Sequence, residues 1–388
     1  MTDVSIGFVP LLDAAPLIMA HEMGFAAEEG LHLDLRPATS WSLLRDMLTF
    51  GTVQAAHMLA PVPVATALGL GGSHTVPVSA AAVLSVNGTV IGVSNKIADA
   101  LREKGFGFDF ADAAAARKAL LALPDTPLRI GVPFPFAMHY ELVNYWLGAA
   151  GEDRLSLRTV PPSFMSDAIA NDEIDAFCVG EPWGSMVVEN GLGTLILPGC
   201  AIWSFAPEKV LAMRTDWGEQ NPATRNALIR AVVRAADWLS HPGSLTVAGE
   251  ILSQPTYLDR PAEVLDRGLT GQLTISARGE RRKVPGFSIF HRGAACFPWR
   301  SQAAWIGRQM VKRTDVDPTW GQSVAEAVFR SDWFRDAMKE SGMDVPGASS
   351  KIEGGIDADT PVSSAFGKVV LANNQFFDRR VFDPAMGE

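Results

Sequence analysis

Hydrophobic and polar positions follow the same order in two stretches of the chain. Each stretch opens with a short apolar strand, at residues 6–9 and 130–132, and continues through a proline-containing loop into a segment with apolar residues at helical spacing. The predicted elements that follow are helices over 14–28 and 138–150, alternating strands over 31–35 and 155–158, helices over 42–50 and 165–172, and apolar strands over 53–59 and 174–179. A glycine, Gly30 or Gly151, ends the first helical region of each stretch.

This order predicts a duplicated α/β architecture. Strand–helix–strand–helix–strand units build parallel sheets through right-handed crossovers, and a repeat at an offset of about 120 residues indicates two lobes rather than a solenoid. Ligands of such sheets lie beyond the carboxyl ends of the strands. Six loops are therefore expected to meet at one cleft between the lobes, and they contain Pro10, Trp41, Leu59, Pro133, Phe164 and Gly180.

Two extended stretches connect the predicted lobes. Residues 83–95 leave the first lobe and residues 203–213 leave the second. Two crossings between the same lobes predict a hinge. Lobe I is predicted to comprise residues 1–94 and 213–388, and lobe II residues 95–212.

Helical spacing continues in the second half of the chain. Helices are predicted over residues 221–252, 260–268, 299–313 and 323–342. The tail, residues 343–388, is rich in proline, glycine and aspartate, and the sequence does not place it in the fold.

Composition and charge narrow the function classes. Of 388 residues, 47% are hydrophobic and 20% are charged, and the net charge of −10 disfavours broad contact with nucleic acids or anionic membranes. The densest basic run, residues 280–283, is predicted to be a solvated loop. No basic start or apolar signal region is visible at the N-terminus, so a cytoplasmic location is expected, the alternative being a leader that has been removed.

The segment AFCVGEPWGS places Cys178 near a glycine, a carboxylate and a tryptophan, which raises the question of nucleophilic catalysis. Its position inside an apolar strand instead predicts an inert, structural thiol. Cys178, Cys200 and Cys296 are odd in number and widely spaced, which fits a reducing compartment rather than a disulfide framework. Because Cys178, Glu181 and His139 show no triad spacing, an enzyme on this fold is the less favoured alternative.

Five segments resemble those of one protein family. They read IGFVPLLDAAPLIMAHEMGFAAEEGL, TSWSLLRDML, VNGTVIGVSNK, FCVGEPWG and PEKVLAM. In this order, over most of residues 4–340, they are similar to nitrate-binding proteins of the nitrate/bicarbonate transporter family. The resemblance implies a two-lobed, type II periplasmic-binding-protein-like fold with a ligand cleft between the lobes, and anion binding without catalysis, cofactor or metal.

The resemblance also implies the ligand contacts. Trp41 would cover the anion, His139 would donate from its imidazole, Gly184 would provide a backbone contact, and Lys209 would supply the positive charge. Thr89 falls where the family carries an amide side chain. In bicarbonate-binding relatives the position of Lys209 is acidic, so the lysine indicates nitrate or nitrite.

Nitrate is planar, monovalent and weakly basic, so its site needs one compensating charge and several donors near its plane. Charge-assisted hydrogen bonds of roughly 1.5–3 kcal/mol each, together with stacking, give micromolar affinity, about −8 kcal/mol. Taken singly, Trp41 is typical of a core aromatic, His139 of an ordinary histidine at a helix start, and Lys209 of a solvated lysine. The other histidines show no metal-ligand spacing and are predicted to be structural: His21, His32, His57, His74, His241 and His291.

The lack of a visible leader and the cysteine usage select one branch of the family. We expect a cytoplasmic nitrate/nitrite sensor of the NasS type. Its partner would be an ANTAR-domain RNA-binding antiterminator, NasT-like, that is held inactive until the anion binds. No direct contact with nucleic acid or membrane is expected. The alternative is the nitrate-binding component of an ABC importer, which uses the same pocket.

Overall fold

The computed structural model describes residues 1–70, 72, 76–123, 127–148, 155–364 and 367–386. The strands in these residues are β1 (Thr2–Phe8), β2 (Leu31–Pro37), β3 (Ala55–Leu59), β4 (Val78–Asn87), β5 (Thr89–Ser94), β6 (Leu128–Val132), β7 (Leu155–Thr159), β8 (Ala176–Gly180), β9 (Gly193–Pro198), β10 (Pro207–Arg214), β11 (Gln272–Thr274), β12 (Arg281–Lys283), β13 (Ser288–Ile289), β14 (Thr360–Ser363) and β15 (Lys368–Leu371).

The helices of the same residues are α1 (Ala15–Glu22), α2 (Phe25–Glu28), α3 (Trp41–Thr49), α4 (Pro61–Ala67), α5 (Asn95–Glu103), α6 (Ala113–Leu121), α7 (Met138–Leu147), α8 (Met165–Ala170), α9 (Trp183–Glu189), α10 (Thr215–Gln220), α11 (Pro222–Leu239), α12 (Pro242–Leu252), α13 (Ala262–Thr270), α14 (Arg300–Val311), α15 (Pro318–Val328) and α16 (Ser331–Met338). A membrane-crossing helix, which must be both long and apolar, does not occur among the helices of the described residues.

The strands form two main sheets. The first has the order β13-β4-β10-β3-β1-β2, and the second has the order β7-β6-β8-β5-β9. In the first sheet β1 pairs in parallel with β2 and β3, and in the second β6 pairs in parallel with β7 and β8. The parallel units predicted from the duplicated hydrophobic pattern are therefore confirmed, as is the mixed α/β fold class.

The first helical regions of the two stretches differ from their predictions. The helix predicted over 14–28 is divided, because Gly24 adopts a left-handed conformation with φ of 78° between α1 and α2. The corresponding helix of the second stretch is α7, which ends at Leu147, and the described residues continue to Gly148. The predicted helix end at Gly151 lies outside the described residues, as does His74.

Two helices of the second half are also divided. The helix predicted over 221–252 breaks at Pro242, which begins α12, because proline has no N–H to donate and its ring collides with the preceding turn. The helix predicted over 323–342 breaks at Phe329, which leaves the helical conformation and pairs with Ala80 of β4.

The basic run at residues 280–283 is largely a strand and not the predicted loop. It contains β12, which pairs with β11 in an antiparallel ladder. The Arg282 guanidinium donates two hydrogen bonds, of 2.8 and 3.0 Å, to the carbonyl of Phe108. Part of this basic segment, the Arg282 side chain, therefore makes contacts within the protein.

The chain crosses between the two sheets twice. It leaves the first sheet at Asn87, the end of β4, and enters β5 of the second sheet at Thr89. It returns between Pro198, the end of β9, and Pro207, the start of β10. Both crossings come earlier along the chain than the predicted lobe boundaries at residues 94 and 212, and the division into lobes stays a prediction.

Asn87 connects the two crossings. Its amide nitrogen donates to the carbonyl of Ser204 at 2.9 Å and to that of Gly286 at 3.0 Å, and its Oδ1 accepts from the N–H of Ala206 at 3.1 Å. Its backbone has a φ of 64°, a left-handed conformation that asparagine tolerates better than most residues. One side chain therefore holds both connecting segments together.

The C-terminal tail, for which the sequence gives no placement, packs on the second crossing. The N–H of Phe377 donates to the carbonyl of Ile202 at 2.8 Å. The ring of Phe376 stacks on Trp203, with centroids 4.9 Å apart, and Trp305 of α14 lies 4.7 Å from the same indole. The tail thus covers the return crossing with aromatic contacts.

Candidate functional site

Lys209 is fully buried in β10, between β3 and β4 of the first sheet. Alternation along a strand would direct its neighbour Glu208 to the opposite face of the sheet. A bulge between Pro207 and Val210 instead makes Glu208 an extra residue opposite β4, and bulges re-aim side chains in this way. The ammonium of Lys209 consequently donates to Oε1 of Glu208 at 2.8 Å.

Lys209 has a second carboxylate partner from another element. Asp13 lies in a short 3-10 helix, Leu12–Ala14, directly after β1, and its Oδ2 accepts from Nζ of Lys209 at 2.6 Å. The other oxygen of Asp13 lies 2.9 Å from Nε2 of His57 in β3. These side chains are all buried, so the ion pairs are shielded from water. We call Asp13, His57, His139, Glu208 and Lys209, together with Trp41, the Lys209 cluster.

His139 connects the second sheet to this cluster. It is the second residue of α7, which follows β6, and its side chain is fully buried. Its Nδ1 lies 3.2 Å from Oε1 of Glu208, but the two atoms are not aligned for a hydrogen bond. Among the described residues neither ring nitrogen of His139 has a hydrogen-bond partner. The imidazole therefore has hydrogen-bonding capacity left for a ligand.

Trp41 is the first residue of α3, whose start is fixed by the Ser40 hydroxyl accepting from the N–H of Leu43 at 3.2 Å. Its indole is buried, with its centroid 5.4 Å from the Lys209 ammonium and 5.7 Å from the His57 ring. Its Nε1 has no partner within the described part of the chain. Three of the predicted site residues, Trp41, His139 and Lys209, are thus brought together.

The other two predicted site residues have packing contacts of their own. Thr89, in β5, has its hydroxyl against Gly199, where any side chain would collide with it. Gly184, in α9, packs against Val90 so closely that a Cβ atom there would also collide. These contacts explain why small residues occupy positions 184 and 199. Contact of Thr89 or Gly184 with an anion stays a prediction.

Burial and the ion pairs set the protonation of the cluster. Burial raises the pKa of Glu208 to about 7, although the Lys209 ammonium opposes it. Burial would also raise the pKa of Asp13, but Lys209 and His57 outweigh burial and the net direction is downward. Burial would lower the pKa of Lys209, but the two carboxylates hold it above its ordinary value. Burial, reinforced by Lys209, holds the pKa of His139 well below its ordinary range, so this imidazole is neutral.

Several buried polar atoms of the cluster have no partner among the described residues. They are Nε1 of Trp41, both ring nitrogens of His139, Nδ1 of His57 and Oε2 of Glu208. Leaving such a group unpaired costs roughly 1–3 kcal/mol, so native proteins normally supply a partner. A small polar ligand enclosed here would meet this need. No group of three or more His, Cys, Asp and Glu side chains in the described ranges is arranged to hold a metal ion.

A cavity of about 410 Å³ lies where loops of the two sheets meet. Pro10 and Thr39 of the first sheet and Phe164 and Trp183 of the second sheet contribute to its lining. The Trp183 indole donates to the carbonyl of Pro10 at 3.0 Å, and the Arg260 guanidinium lies 4.8 Å from the centroid of the same ring. This cavity lies beyond the carboxyl ends of strands of both sheets, and Trp41, His139 and Lys209 are not among the residues that line it.

Asp13, His57 and Glu208 are the residues that sequence reasoning did not assign to the site. Asp13 had an available signal, because it lies in a loop after β1 at the predicted cleft. His57 is predicted to be structural, yet it contacts Asp13 inside the cluster. Glu208 had no signal, since strand alternation places it on the wrong face. Cys178 is buried in β8, and burial keeps the pKa of its thiol well above the ordinary value, in line with an inert thiol.

Several known proteins are similar in sequence to most of this chain. Residues 1–253 match the NMT1-like family. The nitrate/nitrite binding protein NrtA of Nostoc sp. is 30% identical over 100% of this chain and 84% of its own length. The nitrate import ATP-binding protein NrtC of Synechocystis sp. is 31% identical over 88% of this chain, and the match spans only 50% of NrtC.

A solved structure extends the comparison to three dimensions. The crystal structure of the periplasmic nitrate-binding protein NrtA from Synechocystis superposes with a TM-score of 0.85 at 28% identity, covering 100% of this chain and 97% of NrtA. The predicted two-lobed, type II periplasmic-binding-protein fold is thereby confirmed. These proteins are named for binding and import, and none of the three names describes the predicted sensor.

Proposed function

This chain belongs to the NMT1-like family, and from that premise we propose that it binds nitrate or nitrite between its two sheets. The observation that carries the proposal is the buried Lys209 ammonium, held under the indole of Trp41 and close to the neutral imidazole of His139. Around it lie buried donors that no described residue satisfies. A flat monoanion with three acceptor oxygens matches this set.

Each proposed contact residue has a different role in binding the anion. Lys209 supplies an ammonium, which already donates to Asp13 and Glu208 and therefore has one N–H left for the anion. His139 donates from one ring nitrogen, and Trp41 contributes its N–H or its flat face. Thr89 and Gly184 complete the proposed contacts with a hydroxyl and a backbone N–H. No cofactor takes part in this proposal.

Calorimetric titration tests the ligand. Purified protein titrated with nitrate, nitrite, bicarbonate and an alkanesulfonate is expected to bind nitrate or nitrite at micromolar concentration, about −8 kcal/mol. Bicarbonate and the sulfonate are expected to bind at least tenfold more weakly. Preferential binding of either of these two would contradict the proposal.

The relatives favour one physiological role over the other. Their names describe nitrate binding and nitrate import, so we propose first that this chain is the substrate-binding component of an ABC importer. The cytoplasmic sensor, with an ANTAR-domain antiterminator as partner, is the second proposal. What supports it is that Cys178, Cys200 and Cys296 are free thiols, as expected in a reducing compartment.

Cell fractionation and copurification separate these two roles. Cells that express the native gene are fractionated, and the protein is recovered with and without nitrate. Recovery from the periplasm would contradict the sensor. Cytoplasmic recovery with a small RNA-binding protein that nitrate releases would contradict the importer. For a sensor, linkage further requires that the partner weaken nitrate binding by the same factor by which nitrate weakens partner binding.

A further inference from the structure

We infer that Glu208 determines which anions the site accepts, because it must carry a proton when a hydrogen-free anion such as nitrate is bound. This inference rests on the proposed function. It concerns a residue that neither the sequence resemblance nor the relatives assign. It follows from the charges and hydrogen bonds of the Lys209 cluster.

The charge balance of the cluster is the first observation. Lys209 is the single cation of the cluster, and it is shared by two carboxylates, Asp13 at 2.6 Å and Glu208 at 2.8 Å. With both carboxylates ionised and the imidazoles neutral, the cluster carries a net negative charge. An incoming anion would then face repulsion in a buried, weakly screened environment. With Glu208 protonated, the cluster is neutral before the anion enters.

The hydrogen-bonding geometry of Glu208 is the second observation. Its Oε1 accepts from Lys209, whereas its Oε2 is buried without a partner among the described residues. A proton on Oε2 converts that oxygen from an acceptor into a donor. Nitrate and nitrite offer only acceptors, so they are compatible with protonated Glu208 at this position and not with the carboxylate.

The other titratable groups that face Glu208 keep fixed charges near neutrality. Lys209 stays charged because its pKa is held upward, and Asp13 stays ionised because its pKa is held downward. The pKa values of both imidazoles are lowered by burial, and that of the neighbouring thiol is raised; these groups are His57 of β3, His139 of α7 and Cys178 of β8. Glu208, with a pKa of about 7, is the member of the cluster that titrates in the physiological range.

The same geometry separates two classes of oxyanion. A hydrogen-free anion needs the proton on Glu208, so its binding takes up a proton whenever Glu208 starts ionised. A hydrogen-bearing anion such as bicarbonate donates its own O–H to the ionised carboxylate. Raising the pH is therefore expected to weaken nitrate binding more than bicarbonate binding, and so to narrow the preference for nitrate.

The test is calorimetry with nitrate between about pH 6 and about pH 9, in pairs of buffers that differ in ionisation enthalpy. We expect the affinity to fall by up to about tenfold per pH unit above pH 7, with uptake of close to one proton per nitrate at the highest pH and little at the lowest. Glu208→Gln, which keeps a neutral donor at every pH, is expected to bind nitrate with no pH dependence. Glu353 is a buried glutamate outside the cluster, so nitrate affinity of the control variant Glu353→Gln is expected to fall with pH as steeply as that of the unmodified protein.

The outcomes are distinct from those of the proposed function. Absence of nitrate and nitrite binding at every pH would contradict the proposed function itself. Nitrate binding whose affinity is constant across the range, with no proton uptake, would overturn the inference while leaving the function intact. If nitrate affinity of Glu208→Gln fell with pH as steeply as that of the unmodified protein, the proton would belong to another group, and the inference would likewise be overturned. The buffer measurement on the unmodified protein requires no variant to fold.

Discussion

Two lysines of this protein lie over an indole ring, and we place only one of them in a binding site. The ammonium of Lys209 lies 5.4 Å from the ring centroid of Trp41. The ammonium of Lys351 lies 5.5 Å from that of Trp299. The two lysines share their cation–π geometry, and their side chains differ little in exposure, with 8% for Lys351 and none for Lys209.

The glutamates beside these lysines differ. Glu353 accepts from Ser301 at 2.6 Å on one oxygen, and from Lys351 and, at 3.1 Å, Asn374 on the other. Both of its oxygens are therefore satisfied. Glu208 has one oxygen that meets no partner within the described residues. The first arrangement is complete without a ligand, and the second is not.

The comparison shows that burial of a charge does not by itself mark a site. A buried pair with every hydrogen bond made is structural, and removing one member costs stability. Unmet hydrogen bonds are more informative, but only for some atoms. The indole N–H of Trp41 and that of Trp299 both lack a partner in the described part of the chain, so this feature does not separate the two regions. The unmet hydrogen bonds of the Glu208 carboxylate and the His139 imidazole do distinguish the Lys209 region from the Lys351 region.

The largest expected effect comes from removing each lysine. Lys209→Met should weaken nitrate binding by at least 100-fold, because a charge-assisted hydrogen bond of about 3 kcal/mol is lost. Lys351→Met should leave nitrate affinity within about twofold, yet lower the free energy of unfolding by about 3–5 kcal/mol, because the buried Glu353 carboxylate loses its counter-ion. Calorimetry and denaturant unfolding measure the two quantities. An equal loss of nitrate affinity in both variants would break the distinction.

Another buried glutamate, Glu181, is expected to make the free energy of unfolding depend on pH. Burial raises its pKa from 4.5 to about 7, and one of its oxygens has no partner among the described residues. Since the folded protein binds this proton more tightly than the unfolded chain, the stabilisation is fully present below about pH 4.5 and is lost as the pH rises through 7. The change is on the order of 3 kcal/mol.

Glu181→Gln tests this expectation, because an amide does not titrate. Denaturant midpoints of the variant should fall less between about pH 4.5 and pH 8 than those of the unmodified protein. Nitrate affinity at pH 6 should change little, since Glu181 is outside the Lys209 cluster. Identical pH profiles for the two proteins would show that Glu181 does not carry this stability change.

The two indoles give a smaller effect. Trp41→Phe removes the N–H and weakens the cation–π contact with Lys209, so nitrate affinity should fall by about five- to tenfold, roughly 1–1.5 kcal/mol. Trp299→Phe makes the same chemical change beside Lys351 and should leave the affinity unchanged. If the two substitutions weaken nitrate binding equally, the loss comes from general destabilisation.

Thr89→Val gives the smallest expected effect. The substitution keeps the shape of the side chain and removes a buried hydroxyl that has no partner among the described residues. Nitrate affinity should fall by about threefold, less than 1 kcal/mol, while the free energy of unfolding stays the same or rises slightly. An unchanged nitrate affinity would remove Thr89 from the proposed contacts.

The hydrophobic pattern was sufficient for the parallel strands of both sheets and insufficient for β9 and for several helix ends. Periodicity predicts β1 and β6 and the elements that follow them, because each element has to bury one face. Periodicity does not reveal a single residue that interrupts a helix, such as Gly24 or Pro242. The break at Phe329 depends on a long-range pairing with Ala80, which no local pattern contains.

The site shows the same division between local and long-range information. Resemblance to a family identifies Trp41, His139 and Lys209, which the structure brings together. Asp13 escaped notice because a lone aspartate in a loop has many ordinary explanations. Glu208 could not be predicted, because a bulge in β10 reverses the direction that alternation assigns to it.

Asn87 holds both connecting segments with one side chain, so neither segment can twist without the other. Any relative movement of the two sheets would carry both segments together at this residue. A pair of spectroscopic labels, one on the helices of each sheet, would measure whether the distance between the sheets changes when nitrate is added.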